Sequence, residues 1–184
     1  MTADQRYISL TGAYNVREVG GYATRNGRET KWKTFLRADS LGKLSPDAQQ
    51  QLLDYGVRTI IDLRYARELE AEPNVFAASD AVRYVNISLL PGDGNQNPQD
   101  MPRDLLTVYR HILDDSQEQI LRVMQTMLQA DAFPVLVHCT AGKDRTGVIT
   151  ALMLALVDVS DDVIAADYAL SARYLAPKFD AIRQ

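Results

Sequence analysis

Ten residues set between two apolar runs constrain this chain more than any other part of it. Pro134–His138 reads as a short strand and Thr146–Val157 as a helix. Between and across their ends runs His138-Cys139-Thr140-Ala141-Gly142-Lys143-Asp144-Arg145-Thr146-Gly147. A strand that turns tightly into a helix leaves several backbone N–H groups pointing inward at the helix N-terminus. An anion placed there gains hydrogen bonds and favourable dipole energy together. Gly142 removes the Cβ that would obstruct such a turn.

The chain's only cysteine, Cys139, opens this loop, and Arg145 stands six positions on. Unpaired amides and a guanidinium favour thiolate over thiol, so Cys139 is expected to be ionised at neutral pH and nucleophilic. The planar fork of Arg145 can hold two equatorial phosphoryl oxygens, and Lys143 adds a further positive charge. Thr146 is expected to donate a hydroxyl hydrogen bond to the sulfur and ease its departure. Thr140, Ala141, Gly142, Lys143, Asp144 and Arg145 then form a phosphate-binding loop. The plain alternative is a lone cysteine serving as a small buried hydrophobe. Histidine before it, glycine three after it, arginine six after it, then Thr-Gly, speak against that alternative.

These residues resemble the cysteine-dependent protein tyrosine phosphatases, and within them the PtpB/LipA-like bacterial group with tyrosine, dual and phosphoinositide specificity. Gly142-Lys143-Asp144-Arg145-Thr146-Gly147 is the specific part. Asn15-Val16-Arg17-Glu18-Val19-Gly20-Gly21-Tyr22, Phe35-Leu36-Arg37-Ala38-Asp39-Ser40, and Asp62-Leu63-Arg64 followed by Glu68 and Pro73 look like the same group. The resemblance implies hydrolysis of phosphate monoesters through a phosphocysteine intermediate. Phosphotyrosine is the first substrate expected, with phosphoserine, phosphothreonine or a phosphoinositide beside it. It also implies that Asn15 and Arg17 support the site and that Asp62, in Asp-Leu-Arg, is the general acid. Relatives continue with further helices after the equivalent of Phe179, so a short or truncated member is expected.

With 184 residues, 46% of them hydrophobic, the chain can bury a sizeable core but has no room for two ordinary domains, and 1–184 is read as one phosphatase domain. A formal charge of −4 argues against a general nucleic-acid binder. One cysteine excludes an internal disulfide. No apolar stretch approaches the roughly 18 residues of a bilayer span, and Met1–Arg6 does not begin like a signal peptide. A soluble protein is expected, cytoplasmic or exported without a visible signal, with no stable membrane insertion.

Along the chain, Tyr7–Tyr22 reads as irregular or hairpin-like, Asn26-Gly27 as a turn, and Thr30–Arg37 as a strand. Ser45-Pro46 starts a helix through Tyr55, with Gly56 as its stop. Val57–Leu63 and Val82–Ser88 read as strands, and Leu89–Arg103 as a long loop. Two helices follow, one carrying Leu105, Leu106, Tyr109, Ile112 and Leu113, the other Ile120, Leu121, Met124, Met127 and Leu128. Ser160-Asp161-Asp162 caps a last helix toward Ser171. Strands alternating with helices imply an α/β fold: a central, mostly parallel twisted sheet flanked by helices, like that of the protein tyrosine phosphatases. In such sheets ligands lie beyond the carboxyl ends of the strands, where the loop begins and where Asp62 ends its run.

A thiolate attacking phosphorus needs an acid to protonate the departing oxygen, then a base to activate water. Asp62, Asp93 in Pro91-Gly92-Asp93-Gly94, and Asp144 within the loop compete for this role. The alternative for Asp62 is a structural cap or an ion pair with Arg64, and for Asp93 ordinary turn chemistry. His138 is read as orienting Cys139 and His111 as incidental. Two histidines and one cysteine cannot furnish an ordinary zinc site, so no metal or cofactor is implied. Arg17, Arg37, Arg64 and Arg67 are candidates to extend the positive field toward a second phosphate or an acidic peptide. Three other classes compete: a sulfurtransferase, whose loop has a different length; an arsenate reductase, which would need an external thiol; and a non-catalytic phosphopeptide-binding module, which would not need Cys139.

Overall fold

The structure, a computed structural model, describes residues 5–89, 104–129 and 131–182. Five strands form one sheet: β1 (Arg17–Glu18), β2 (Phe35–Ala38), β3 (Thr59–Asp62), β4 (Arg83–Asn86) and β5 (Val135–His138). Their order is β1-β2-β5-β3-β4, with β1 antiparallel to β2 and the other pairs parallel. The mostly parallel α/β architecture expected from the alternating elements is therefore the one found.

Alternate residues of the central strands feed two cores, as the two-residue period of a strand requires. Phe35, Ile61, Val135 and Val137 pack on one face with Ile112 of α3 (Leu105–Asp115), Ile120, Val123 and Met127 of α4 (Gln117–Met127), and Ile149 and Leu154 of α5 (Asp144–Leu156). Leu36, Ala38, Ile60 and Leu136 pack on the other with Ala48 and Leu52 of α1 (Pro46–Tyr55). The strands are apolar on both faces because both faces are covered.

The local signals for α1 act as read. Ser45 Oγ accepts from Ala48 N at 3.2 Å, Pro46 stands at the first turn, and Gly56 closes the helix at φ 99°. Other boundaries move. Of Thr30–Arg37 only the end is strand, because Thr30 bonds back to Tyr22 and Gly21 around the Asn26-Gly27 turn and Lys33 takes φ 52°. The short α2 (Ala66–Ala71) carries no apolar stripe and was not anticipated; Glu68 reaches back to the Tyr65 N–H at 3.1 Å to start it. The last helix, α6 (Asp161–Ile182), runs well past Ser171 and through Pro177. Apart from Leu89, the predicted Leu89–Arg103 loop lies outside the described residues. Among the described residues no helix is long and apolar enough to cross a membrane.

Candidate active site

β5 is the middle strand, and its neighbours pair Ala38 and Asp62 with His138. Residues 139–143 therefore leave the sheet between two parallel strands that end at the same level. Ser40 N donates to Thr140 O at 3.2 Å on one side, and Leu63 N to His138 O at 2.9 Å on the other. Cys139 lies at the base of the loop and is 2% exposed.

Loop carbonyls are tied down from behind. Asn15 Nδ2 donates to Ala141 O at 3.0 Å and Gly142 O at 3.1 Å, and Arg37 Nη2 to Gly142 O at 2.8 Å and Lys143 O at 3.4 Å. A peptide whose C=O faces a buried donor turns its N–H to the opposite side. Gly142 is required here twice over: its φ is +62°, and a Cβ would stand 2.2 Å from Ala38 O.

Arg145 is held by Glu68 of α2. Nη1 meets Oε2 at 2.5 Å and Nη2 meets Oε1 at 2.7 Å, a bidentate pair with side chains 12% and 16% exposed. Thr140 Oγ1 donates to the same Oε1. Burial opposes both charges, but the pairing outweighs it: Glu68 is held below the usual carboxylate range, and Arg145 is raised by Glu68 and by Cys139. Glu68 takes two of the five guanidinium N–H groups, and Nη1 and Nη2 also reach Leu63 O and Thr140 Oγ1 at 3.4 Å, so the pair fixes the plane of the fork and leaves Nε outside these contacts.

Asp62 is placed away from solvent, at 0% exposure, in the ion pair with Arg64 that was its alternative reading. Arg64 Nη2 reaches Oδ2 at 2.7 Å and its Nε reaches Oδ1 at 3.0 Å; Tyr84 OH donates to Oδ2 at 2.9 Å. Burial raises its carboxyl, but the bonds from His138 and Arg64 lower it far more. Behind Cys139, His138 is fully buried. Asn74 Oδ1 accepts from Phe76 N at 2.9 Å; His138 Nε2 lies 2.8 Å from Asn74 Nδ2 and 3.2 Å from Asp62 Oδ2, and its Nδ1 lies 3.3 Å from Cys139 O.

Asp144 opens α5 at the loop's rim, its side chain 36% exposed. Tyr109 OH reaches its Oδ1 at 2.5 Å, Tyr168 OH at 3.3 Å, and Lys143 Nζ lies 3.7 Å from the same oxygen. Thr146 Oγ1 is buried and has no hydrogen-bond partner, so the expected bond to the Cys139 sulfur is not formed. Asp93 lies outside the described residues.

The expected second anion field is corrected for three of its four arginines. Arg17, Arg37 and Arg64 are buried to within 1% exposure and are committed to Asp167 and Asp62, so they offer nothing to a ligand at the surface. Arg67 is exposed. His111 is exposed on α3. Among the described residues no group of three or more His, Cys, Asp or Glu could hold a metal ion.

Sequence reading quoted Glu68 without a role and missed Asp167, Asn74 and Tyr84. Only Asp167 left a trace, as a charge on the stripe Asp167, Ser171 and Tyr174 that α6 buries.

Residues 8–184 match the tyrosine phosphatase family. A tyrosine-protein phosphatase of Nostoc commune is 39% identical over 145 residues, covering 77% of this chain and 49% of its own. The triple specificity protein phosphatase PtpB of Mycobacterium tuberculosis is 31% identical over 196 residues, covering 86% of this chain and 67% of its own. The chain thus spans about half the length of the first relative and about two thirds of the second. The Siw14 catalytic core shares the fold, with a TM-score of 0.50 at 15% identity over 94% of this chain and 82% of that one. By sequence match and by the fold that carries its loop, the chain belongs to the tyrosine phosphatase family.

Proposed function

We propose that this chain is a protein tyrosine phosphatase domain spanning 1–184, in which Cys139 is the nucleophile and Arg145 the phosphate clamp. The observation that carries the reading is the loop itself: Asn15 and Arg37 hold its carbonyls outward, and Glu68 fixes the guanidinium at its far end. In the first step the Cys139 thiolate forms the S–P bond as the P–O bond of the ester breaks, and the departing oxygen takes a proton. In the second, water attacks the phosphocysteine, gives up a proton, and releases phosphate and the thiolate.

For the proton transfers the geometry favours Asp144 over Asp62. Asp62 is enclosed and paired, a place suited to holding His138. Asp144 is at the rim, and its three contacts converge on Oδ1, which leaves Oδ2 to carry the proton. Asp93 enters the same test. Loss of an acid slows esters with poor leaving groups far more than aryl esters with good ones. Among Asp62→Asn, Asp93→Asn and Asp144→Asn, the variant with that asymmetry identifies the acid, and an even loss in Asp144→Asn would remove it from the role.

Phosphotyrosine is the substrate class proposed first. The name of the Mycobacterium tuberculosis relative and the half-exposed Lys143 at the rim support phosphoserine, phosphothreonine and phosphoinositide esters beside it. Turnover of the four substrates is to be compared with a Cys139→Ser control. Cys139→Ser is expected to bind phosphate without turning over, and retained turnover would overturn covalent catalysis. No lipid turnover would remove the phosphoinositide.

A further inference from the structure

Arg17 and Arg37 stand directly opposite each other in the β1–β2 register, both within 1% of complete burial. Like charges so placed repel, and out of water they do so strongly. Between them lies one carboxylate from α6: Asp167 Oδ1 meets Arg17 Nε at 3.0 Å, and Oδ2 meets Arg37 Nη1 at 2.5 Å. Tyr22 OH donates to Oδ1 at 2.9 Å. Two guanidinium groups and one carboxylate leave a single buried positive charge without a counter-ion in the cluster.

That charge has a direction. Arg17 spends its remaining donors on Asn15 Oδ1, Asp167 O and Ser171 Oγ, whereas Arg37 turns Nη2 onto Gly142 O and Lys143 O, the outer wall of the loop. Burial and Arg17 push the Arg37 guanidinium down to about 10, against Asp167 and Cys139, which pull it up. Its buried Nε has no acceptor at all, a cost that a residue kept for packing alone need not carry.

We propose that Arg37 is a positioning residue of the phosphate loop and its second cation, acting from behind the Gly142 and Lys143 carbonyls, and that Asp167 sets how much of its charge the bound anion feels. This rests on reading the loop as a phosphate site. Arg145 would then grip the dianion from the front while Arg37 raises its affinity from the rear, without touching it.

The experiment measures inorganic phosphate binding by calorimetry in a Cys139→Ser background, with Arg37→Gln, Arg37→Lys and Asp167→Asn added singly and melting followed beside it. Arg37→Gln keeps a donor for Gly142 O but loses the charge, and is expected to weaken phosphate about tenfold, as removal of a nearby buried charge should. Arg37→Lys is expected to recover part of that loss. Asp167→Asn keeps both arginines and removes the opposing charge, so phosphate should bind more tightly, an outcome no purely structural role predicts. Unchanged affinity in a folded Arg37→Gln, or unchanged or weakened affinity in a folded Asp167→Asn, overturns the inference. Collapse of both variants makes the cluster structural and overturns it as well. If Cys139→Ser alone binds no phosphate and the parent turns nothing over, the reading of the loop itself fails, which is a distinguishable result.

Discussion

Glu68 and Arg145 lie 77 residues apart and meet through two short hydrogen bonds, of 2.5 and 2.7 Å, that join the first turn of α2 to the first turn of α5. The same carboxylate bonds Thr140, so one side chain fixes both ends of the loop. Glu68→Gln keeps the shape but loses the charge and one acceptor. Its kcat/KM on an aryl phosphate is expected to fall about 10- to 100-fold, because a fork misplaced by an ångström no longer meets the oxygens. Full activity in that variant would mean that Arg145 is aimed by something else.

Asp62 is expected to matter for stability and its pH dependence more than for proton transfer. Its carboxyl is held far below the ordinary value of about 4, so its stabilisation is complete above that pH and is lost as pH falls through the depressed value. Asp62→Asn leaves Arg64 buried without its partner and should cost about 3 kcal/mol at pH 7. The difference between parent and variant should shrink steadily below pH of about 4. Urea unfolding at pH 7, 5 and 3 measures this, and a pH-independent difference would contradict it.

How much of this was legible depends on how local each cause is. Helix α1 is punctuated by its own residues, Ser45, Pro46 and Gly56, and needed no partner to be read. The loop was legible for the same reason: Cys139, Gly142 and Arg145 act within seven residues of one another. Asp62 and its pairing with Arg64 were within reach, because the two stand two residues apart. Strand alternation fixes where a side chain points; it does not say that Tyr84 and His138 will be waiting there.

Long-range partners were the part that sequence could not supply. Arg17 meets Asp167 across 150 residues, and no spacing rule reaches that far. The apparent surplus of arginines near the site motifs was read as a field for ligands. It is instead an internal scaffold, because a sheet covered on both faces leaves β1 and β2 no solvent in which to place Arg17 and Arg37. Helix α2 escaped for a different reason: six residues without an apolar stripe give periodicity nothing to detect.

Gly142 and Gly27 form a matched pair for testing close approach against backbone conformation. Both have positive φ, +62° and +79°, so alanine should cost each about 1 kcal/mol from conformation alone. Nothing lies within 4 Å of a Cβ at Gly27, whereas at Gly142 it would collide with Ala38 O at 2.2 Å and its carbon at 2.4 Å. Gly27→Ala is expected to keep full activity. Gly142→Ala is expected to displace the loop and lose about 100-fold or more in kcat/KM. Equal activities would mean that the loop tolerates a shift that its packing against Ala38 of β2 forbids by distance.

Asn15 offers the sharpest test of the carbonyl-out arrangement, because one atom can be exchanged without changing size. Its Nδ2 donates to Ala141 O and Gly142 O while Oδ1 accepts from Arg17. Asn15→Asp replaces that donor with an oxygen facing two carbonyl oxygens, and adds a negative charge behind a loop built for anions. Asn15→Ala merely removes the donor. Aspartate is therefore expected to be the more damaging substitution, by about tenfold in phosphate affinity relative to alanine, although it is nearer in shape to the native residue. Phosphate inhibition constants for the two variants decide the order. Were alanine the worse of the two, packing rather than donor geometry would be what holds the loop open.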